Sequence, residues 1–323
     1  MTKVITMGEM LIDFVPRVKG VSLEDNDSFL RRPGGAPANV AVGTARLGAE
    51  TVFLGKVGND AFGNFLIATL EDCGVNTEYI LQTTEANTCL AFVILDESGD
   101  RDFVFYRDPS ADLFYRPEEI PEELFAEAEI FHFGSLSLTD EPVRSATIRC
   151  AELAAEEGML VSYDPNYRAP LWPDEEEALK WMEAGMELAR LVKLSEEELE
   201  LFTGEADPEA GSDLLFEKYR GLELAFVTLG PDGCYYRGPN GEGHVHGFEV
   251  DIEDTTGAGD AFTGAVLAAL VGKDIYDPTE IDEKMLQKLV IRGNAAGALT
   301  ACGRGAISSL PTWKEIRKLT SWR

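Results

Sequence analysis

The chain has 323 residues, 45% of them hydrophobic, which is enough to bury the core of one large α/β domain. Asp and Glu number 58 against 28 Lys and Arg, and the resulting net charge of −30 argues against nucleic acid and anionic membranes as partners. No apolar run reaches the length of a membrane-spanning helix, and the N-terminal residues lack a signal-peptide layout. We therefore expect a cytoplasmic protein.

The acidic residues are spread over predicted helix surfaces, as in Asp174-Glu-Glu-Glu177 and Glu196-Glu-Glu198. A solvated surface explains this pattern, and so does adaptation to high salt, where screening relieves the self-repulsion; we favour salt adaptation. The cysteines occur singly, without a CxxC pair, so neither a zinc site nor a disulfide framework is predicted. They are Cys73, Cys89, Cys150, Cys234 and Cys302.

Apolar β-rich segments alternate with amphipathic helical segments along the chain, which predicts a mostly parallel sheet with helices on both faces. The predicted core strands are Val4–Met7, Val52–Gly55, Ile130–Phe133, Leu160–Tyr163, Leu191–Leu194 and Ala225–Leu229. The predicted helices include Ala38–Leu47, Phe62–Cys73, Pro142–Glu157, Glu175–Ala189 and Glu280–Ala301. No internal repeat or low-complexity linker interrupts this order.

Two stretches break the alternation of strands and helices. Leu11–Val18 is rich in β-forming residues and is followed by a polar segment that extends to Arg32. Cys89–Asp96, the turn Glu97-Ser-Gly-Asp100 and Arg101–Arg107 together indicate a hairpin. Because neither stretch alternates with helices, we expect both to form a small antiparallel sheet that projects from the main body.

The run Asp254-Thr-Thr-Gly-Ala-Gly-Asp-Ala-Phe-Thr-Gly264 combines an anion cradle with a carboxylate. Phe248–Ile252 before it alternates apolar and acidic residues and predicts a half-buried strand, and Ala261–Val271 predicts a buried helix. The first amides of such a helix suit a phosphate. Asp260 in the same turn would repel that phosphate, so it suits a general base better than a binding group. The simpler alternative is that Asp260 only interacts favourably with the helix dipole and that the glycines only form a turn.

Polar residues also follow several predicted strands, where open α/β sheets place their ligands. Asp13 follows the first strand, and Asp164-Pro-Asn-Tyr-Arg-Ala-Pro-Leu-Trp172 follows Leu160–Tyr163. Ser195 and Glu198 have the spacing of a helix cap, which does not exclude a role at a nucleotide site.

Two segments in this order resemble the signatures of the PfkB, or ribokinase-like, family of carbohydrate kinases. The run Asp254–Gly264 resembles the C-terminal signature, and Gly34-Gly-Ala-Pro-Ala-Asn-Val-Ala41, continued to Gly55-Lys-Val-Gly-Asn-Asp-Ala-Phe-Gly63, resembles the N-terminal one. The resemblance implies one ribokinase-like three-layer α/β/α domain over residues 1–323, with lid strands from about 10–33 and 88–110. It also implies a homodimer through the lid.

The implied activity is ATP-dependent phosphorylation of a sugar hydroxyl, with Asp260 as general base and the amides of Gly257, Ala258 and Gly259 as anion hole. The implied sugar contacts are Glu9, Asp13, Gly34, Gly35, Asn39, Arg107, Asp164, Arg168 and Asp260. The implied nucleotide contacts are Lys193, Ser195, Glu198, Thr228, Gly230, Gly233, Gly257, Gly259 and Asn294, with Mg²⁺ held mainly by ATP and by water near Glu198. A K⁺ site is implied at Asp254, Thr256, Thr300, Gly303, Gly305 and Ser309.

The segment Asp164–Trp172 resembles the branch of bacterial fructokinases and 2-keto-3-deoxygluconate kinases. From this resemblance we expect D-fructose as the substrate. 2-Keto-3-deoxygluconate remains the main alternative. Ribose is disfavoured because ribokinases have Gly-Gly-Lys-Gly where this chain has Gly34-Gly-Ala-Pro37. A catalytically silent sugar-binding regulatory protein of the same fold is an alternative from another class.

Other nucleotide-binding classes lack their motifs in this chain. No G-x-x-x-x-G-K-[ST] occurs, which excludes a P-loop kinase, and Phe262 stands where a dinucleotide-binding turn needs its third glycine. The three histidines do not form a metal-ligand cluster. We expect His132 to be structural, and His244 and His246 to flank a turn at the surface before a strand.

Overall fold

The computed structural model describes residues 3–18, 20–95 and 101–321. Its strands, in chain order, are β1 Val4–Met7, β2 Leu11–Pro16, β3 Phe29–Gly34, β4 Thr51–Gly58, β5 Ile80–Thr83, β6 Cys89–Leu95, β7 Arg101–Tyr106, β8 Ile130–Gly134, β9 Leu160–Asp164, β10 Leu191–Ser195, β11 Leu224–Thr228, β12 Cys234–Gly238 and β13 Gly241–Val245. Its α-helices are α1 Ala36–Arg46, α2 Ala61–Asp72, α3 Val143–Glu156, α4 Glu175–Leu188, α5 Glu196–Thr203, α6 Pro208–Lys218, α7 Ala258–Val271, α8 Glu283–Ala301, α9 Ala306–Ser309 and α10 Trp313–Thr320.

The strands form two sheets. The larger sheet has the order β13-β12-β11-β10-β9-β8-β1-β4-β5. It is parallel from β11 to β5, whereas at one edge β12 pairs antiparallel with β11 and β13 pairs antiparallel with β12. The prediction of a mostly parallel central sheet is therefore confirmed, and all six predicted core strands belong to it.

The smaller sheet, called the lid sheet below, has the order β3-β2-β6-β7. The β2–β3 and β6–β7 pairs are antiparallel, but β2 and β6 pair in parallel. The expectation of a purely antiparallel sheet was wrong for this central pair, because α1, β4 and α2 intervene and return the chain in the same direction. The turn predicted at Glu97–Asp100 lies outside the described residues.

One predicted strand was wrong. Phe248–Ile252 has no regular secondary structure, and Ile252 is largely exposed. β13 ends at Val245, and no strand is assigned between it and the start of α7 at Ala258. The alternation of apolar and acidic residues therefore predicted a strand in a segment that only connects β13 to α7.

Local capping sets several helix starts. Asp60 accepts hydrogen bonds from the amides of Phe62 and Gly63, and Ser195 forms a reciprocal capping box with Glu198, as the spacing predicted. The long C-terminal helix begins at Glu283, three residues after the predicted start. Its N-cap, Asp282, fixes that boundary.

Helices cover both faces of the larger sheet, which gives three layers. One face buries residues such as Ile5, Phe131 and Tyr163 with apolar residues of α3, α4 and α5. The other face buries Val4 and Phe226 with apolar residues of α7 and α8. Adjacent strand positions point to opposite faces, so a buried parallel strand needs apolar residues at every position.

Two composition-based expectations can be compared with the described residues. None of the helices there is both long enough and apolar enough to cross a membrane. All five cysteines are free thiols.

Helices α1 and α7 touch through glycine backbones. A β-carbon built on Gly264 would lie 3.3 Å from the Cα of Gly43, which is tighter than ordinary packing. Gly43 follows Asn39 by four residues, and Gly264 follows Asp260 by four, about one helical turn in each case. The glycine contact therefore fixes the distance between Asn39 and Asp260.

We expect Gly264→Ala to destabilise the protein relative to Gly43→Ala. Both changes gain up to about 1 kcal/mol of helix propensity. The new methyl group at Gly43 would lie 3.6 Å from its nearest neighbour, an ordinary contact, whereas the one at Gly264 would press on the backbone of Gly43 and Thr44. Overpacking of this kind costs about 1–3 kcal/mol, to be measured by denaturant unfolding of both variants. Equal stabilities would contradict the proposed constraint.

Candidate active site

The carboxyl ends of the parallel strands meet at one edge of the larger sheet and open into a cavity of about 700 Å³. The register aligns Gly134 of β8 with Asp164 of β9, and Ser195 of β10 with Thr228 of β11. The lid sheet, α1 and the start of α7 supply the other walls. The predicted site residues that line the cavity are Glu9, Asp13, Gly35, Asn39, Arg168, Lys193, Ser195, Thr228, Gly230, Thr256, Gly257, Gly259 and Asp260.

Asp260 lies in the first turn of α7 and is only 8% exposed. Its Oδ2 accepts a hydrogen bond of 2.7 Å from Nδ2 of Asn39 on α1. Burial raises the pKa of Asp260 to about 6, against the hydrogen bond from Asn39, which lowers it. A carboxylate with this pKa is ionised at neutral pH and is more basic than an exposed aspartate, as a general base requires.

The amides beside Asp260 form a partial anion cradle. Gly257 has φ 78°, and a β-carbon there would collide with Ala306, so the position requires glycine. Gly257 and Gly259 line the cavity at the positive end of α7. Ala258 does not line it, and its amide donates to the carbonyl of Thr255 at 3.2 Å. Of the three residues predicted to form the anion hole, Gly257 and Gly259 therefore line the cavity.

A buried lysine adds positive charge to this cradle. The ammonium of Lys193 lies 3.2 Å from Oδ2 of Asp164, and a β-carbon built on Gly259 would lie 3.2 Å from the same nitrogen. Burial lowers the pKa of Lys193, but the carboxylates of Asp164 and Glu198 outweigh burial, so the net shift is upward. Lys193 therefore remains protonated directly beside the first turn of α7.

The opposite end of the cavity is rich in hydrogen-bond acceptors. Glu9, which follows β1, accepts a hydrogen bond of 2.9 Å at Oε1 from the amide of Ala36. Among the described residues, Glu9 Oε2 and Asn39 Oδ1 are buried without a hydrogen-bond partner. Asp13 on β2 lines the same end, and the absence of a side chain at Gly34 leaves room for its carboxylate. Such a surface suits a ligand with several hydroxyl donors.

The lid sheet contributes aromatic residues that the sequence analysis did not single out. Phe103 and Phe105 of β7 line the cavity, with ring centroids 5.7 Å apart and planes at 21°. The guanidinium of Arg168 lies 5.9 Å from the Phe103 ring, which links the lid to the segment after β9. The alternating pattern of a strand over Arg101–Arg107 could have identified these two residues, because it places 103 and 105 on the same face of the strand.

Arg107, predicted to contact the sugar or the phosphate, does not line the cavity. Its Nε donates to Asp112 Oδ2 at 2.8 Å, its Nη1 to Thr139 Oγ1 at 2.7 Å, and its Nη2 to the carbonyl of Leu136 at 2.8 Å. These bonds occupy the guanidinium inside the protein. The direct contact expected of Arg107 stays a prediction.

Three predicted nucleotide contacts also lie outside the cavity lining. Glu198 accepts a hydrogen bond at Oε1 from the amide of Tyr167 and another at Oε2 from the amide of Ser195. Both of its carboxylate oxygens are therefore bonded to backbone amides. Asn294 donates to the carbonyls of Val245 and His246. Gly233, with φ 105°, forms the turn before β12.

The residues predicted to hold K⁺ form a compact loop cluster. Asp254 Oδ1 accepts hydrogen bonds from the amide and hydroxyl of Thr256, and its Oδ2 accepts the amide of Gly305 at 2.8 Å. Gly303 donates to the carbonyl of Thr300 and packs against Ser309. The structure therefore brings these residues together beside the start of α7.

None of the three histidines lines the cavity. His132 is buried in β8 and pairs through Nδ1 with Ser162 Oγ at 3.0 Å. Burial lowers the pKa of His132 to about 3, so it stays neutral, as a structural residue would. His244 lies within β13 instead of flanking a turn, and its exposed ring contacts that of His246. Within the described residues, no group of potential ligands is arranged to hold a metal ion.

Comparisons with known proteins agree on one family. The model of the pfkB family carbohydrate kinases matches residues 1–313. The probable fructokinase-4 of Arabidopsis thaliana is 46% identical over 318 residues, covering 98% of this chain and 96% of that protein. The structure of fructokinase with bound ATP from Xylella fastidiosa has a TM-score of 0.89 at 35% identity, covering 99% of this chain and 98% of the other. Fructokinase from Vibrio cholerae O395, with fructose, ADP and calcium ion, has a TM-score of 0.87 at 35% identity, covering 99% of both chains.

We expect Asn39→Leu to raise the pKa of Asp260 above its value of about 6, because the hydrogen bond that favours the carboxylate is lost. A charge-assisted bond of this kind corresponds to about one pH unit. Carboxyl-carbon NMR titration measures the shift, with the Asp260 signal assigned by its absence in Asp260→Asn. Asn64→Leu on α2 is the matched control and leaves the titration unchanged. An unaltered pKa in Asn39→Leu would refute the role assigned to the hydrogen bond.

Proposed function

The chain belongs to the pfkB family of carbohydrate kinases, and we propose that it transfers the γ-phosphoryl group of ATP to D-fructose, giving D-fructose 6-phosphate. One observation carries this proposal. The buried carboxylate of Asp260, oriented by Asn39, lies in the same cavity as the amides of Gly257 and Gly259 and the ammonium of Lys193. A base and an anion cradle in one cavity are what in-line transfer to an alcohol requires.

In the proposed reaction, Asp260 accepts the proton of the attacking sugar hydroxyl. The hydroxyl oxygen forms a bond to the γ-phosphorus, and the bond from that phosphorus to the bridging oxygen of ADP breaks. The amides of Gly257 and Gly259 donate to the oxygens of the transferring group, and Lys193 adds positive charge beside them. Because these donors are fixed in position, they stabilise the developing charge without reorganising.

Magnesium would reach the site with ATP. Both carboxylate oxygens of Glu198 are occupied by backbone amides, so this residue contributes through water and electrostatics. When bound, Mg²⁺ neutralises charge on the phosphate oxygens. For K⁺, we propose the loop cluster of Asp254, Gly303 and Gly305 beside the start of α7, where the hydroxyl of Ser309 lies next to Gly303.

The acceptor-rich end of the cavity favours fructose over 2-keto-3-deoxygluconate. The carboxyl groups of Glu9, Asp13 and Asp260 all line the cavity, and they would repel the carboxylate of a sugar acid. The hydroxyls of fructose can donate to them instead. Ribose remains disfavoured by Gly34-Gly-Ala-Pro37, and a catalytically silent sugar binder would not need the oriented Asp260.

Several finer features belong to the same proposal. Five free thiols support a reducing compartment, for which we propose the cytoplasm. The net charge of −30 supports adaptation to high salt. The outer face of the lid sheet supports a homodimer, because Tyr106 is 61% exposed there and contacts Phe92, which stacks on Phe14.

For the lid dimer, we expect Tyr106→Asp to shift the protein from dimer to monomer in size-exclusion chromatography with light scattering. A charge in an aromatic interface is desolvated without a partner. Leu214→Asp is the matched control, since Leu214 is also an exposed apolar residue but lies on α6. A monomeric wild-type protein, or equal dissociation in both variants, would contradict a lid interface.

For the catalytic base, we expect Asp260→Asn to lower kcat by a factor of about 10²–10⁴ while ATP and fructose still bind. The assay couples ADP production to NADH oxidation, with Mg²⁺, with and without K⁺, at low and high salt. The substrates compared are fructose, 2-keto-3-deoxygluconate, ribose, glucose and adenosine. Near-normal turnover of Asp260→Asn would remove Asp260 from the mechanism, and preference for the keto-deoxy acid would overturn the choice of fructose.

A further inference from the structure

Asp164 is a buried acid at the end of β9, and the sequence predicts that it contacts the sugar. The residue does not line the cavity, however, and is only 3% exposed. Its partner is Lys193 of the neighbouring strand β10, whose ammonium nitrogen lies 3.3 Å from Oδ1 and 3.2 Å from Oδ2. The Asp164 side chain forms no other ion pair or hydrogen bond with the described residues. Asp164 therefore acts on the cavity through Lys193.

The register of the larger sheet brings these two residues together. Val192 of β10 pairs with Tyr163 of β9, so Lys193 and Asp164, the next residue on each strand, lie side by side on one face of the sheet. This face is the one that α7 covers, because Leu191, two residues earlier on β10, packs in the same cluster as apolar residues of α7. The ion pair therefore lies between the sheet and the start of α7.

The ammonium group of Lys193 lies between two carboxylates. Asp164 holds it from the sheet, and Asp260 on α7 directly follows Gly259, where a β-carbon would lie 3.2 Å from the ammonium nitrogen. Both carboxylates raise the pKa of Lys193, Asp164 more than Asp260. Among these described residues, Lys193 forms its ion pair with Asp164 and not with Asp260. Asp260 is bonded to Asn39 instead.

Four other titratable or charged groups surround Lys193 and Asp260. They are His132 of β8, Glu198 of α5, Cys234 of β12 and Arg168, which follows β9. Burial lowers the pKa of His132 to about 3 and raises that of the Cys234 thiol, so both are uncharged near neutral pH. Glu198 is bonded to two backbone amides, and Arg168 donates to backbone carbonyls of its own segment.

An ammonium group between two carboxylates can pair with either of them. Paired with Asp164, Lys193 stays beside Gly259 and adds positive charge where the phosphoryl group is transferred. Paired with Asp260, it would weaken the base, because an adjacent cation favours the ionised carboxylate and lowers its pKa. The partner on the sheet side therefore determines whether Lys193 assists the reaction or inhibits it.

We propose that Asp164 is a positioning residue for phosphoryl transfer, whose carboxylate holds the ammonium of Lys193 beside Gly259 and prevents it from pairing with Asp260. This inference deepens the proposed function and rests on it for the roles of Lys193 and Asp260. Asp164 itself neither touches the sugar nor exchanges a proton during the reaction. Its effect on catalysis depends on the position of Lys193.

Asp164→Asn keeps the size of the side chain but removes the charge that holds Lys193. We expect the ammonium to pair with Asp260, whose pKa then falls from about 6 by about one pH unit. Carboxyl-carbon NMR titration of the whole protein without ligands measures this fall. Part of it comes from the lost repulsion between Asp164 and Asp260, so the substitution is also made in Lys193→Met. There only the repulsion is lost, and we expect a smaller fall.

Steady-state kinetics provide a second readout. With saturating ATP and Mg²⁺, we expect Asp164→Asn to lower kcat by about tenfold and to leave KM for fructose within about twofold of its normal value. The acid limb of the kcat–pH profile moves to lower pH, because Asp260 then ionises at lower pH. Glu119→Gln is the matched control, since it also breaks an ion pair with a buried lysine, Lys56, but neither residue lines the cavity. We expect it to leave the pH profile and KM unchanged.

The outcomes separate this inference from the proposed function. Wild-type protein that phosphorylates no sugar would overturn the proposed function, whereas the titration of Asp260 still decides whether Asp164 positions Lys193. An equal fall of the Asp260 pKa in both backgrounds, or a rise, would overturn the positioning role. A higher KM for fructose with unchanged kcat would do the same, because it indicates a direct sugar contact. If Lys193→Met does not fold, the pH profile and KM of Asp164→Asn decide the matter.

Discussion

The contact between Gly43 of α1 and Gly264 of α7 is the constraint on which the site depends. A side chain at Gly264 would press on the backbone of Gly43 and Thr44, and Asn39 and Asp260 lie one turn earlier on the same two helices. The hydrogen bond between them therefore reports how closely the helices pack. It holds the carboxylate in one orientation and limits the rise in its pKa that burial causes. Packing and base strength are thus set by one interface.

The site also resolves an electrostatic difficulty. A chain with a net charge of −30 must bind a nucleotide that is itself strongly anionic. In the proposed site, the positive charges are local and shielded from the surface: the buried ammonium of Lys193, the amides of Gly257 and Gly259, and the positive end of α7. In a buried site these act at a lower effective dielectric constant than the exposed acids do, so the distant negative surface weighs less.

The contacts of Arg107 and Glu198 show how much depends on their neighbours. Arg107 was predicted to contact the sugar or the phosphate, and Glu198 to help hold Mg²⁺ through water. In the structure, Asp112, Leu136 and backbone amides already bond to these side chains. Residue type states which bonds a group can make, but its neighbours decide which bonds it does make. Phe248–Ile252 failed for a similar reason, because alternation indicates a strand only where another strand lies beside it.

The sequence by itself determined the parallel core, the capped helix start at Ser195, and the turn that carries Asp260, because these depend on apolar periodicity and on residues close in the chain. Only the tertiary structure decided that β2 and β6 pair in parallel, that Phe103 and Phe105 face the cavity, and that Asn39 meets Asp260 across 221 positions. Contacts of this kind arise from packing between distant segments, and no local pattern records which surfaces will meet.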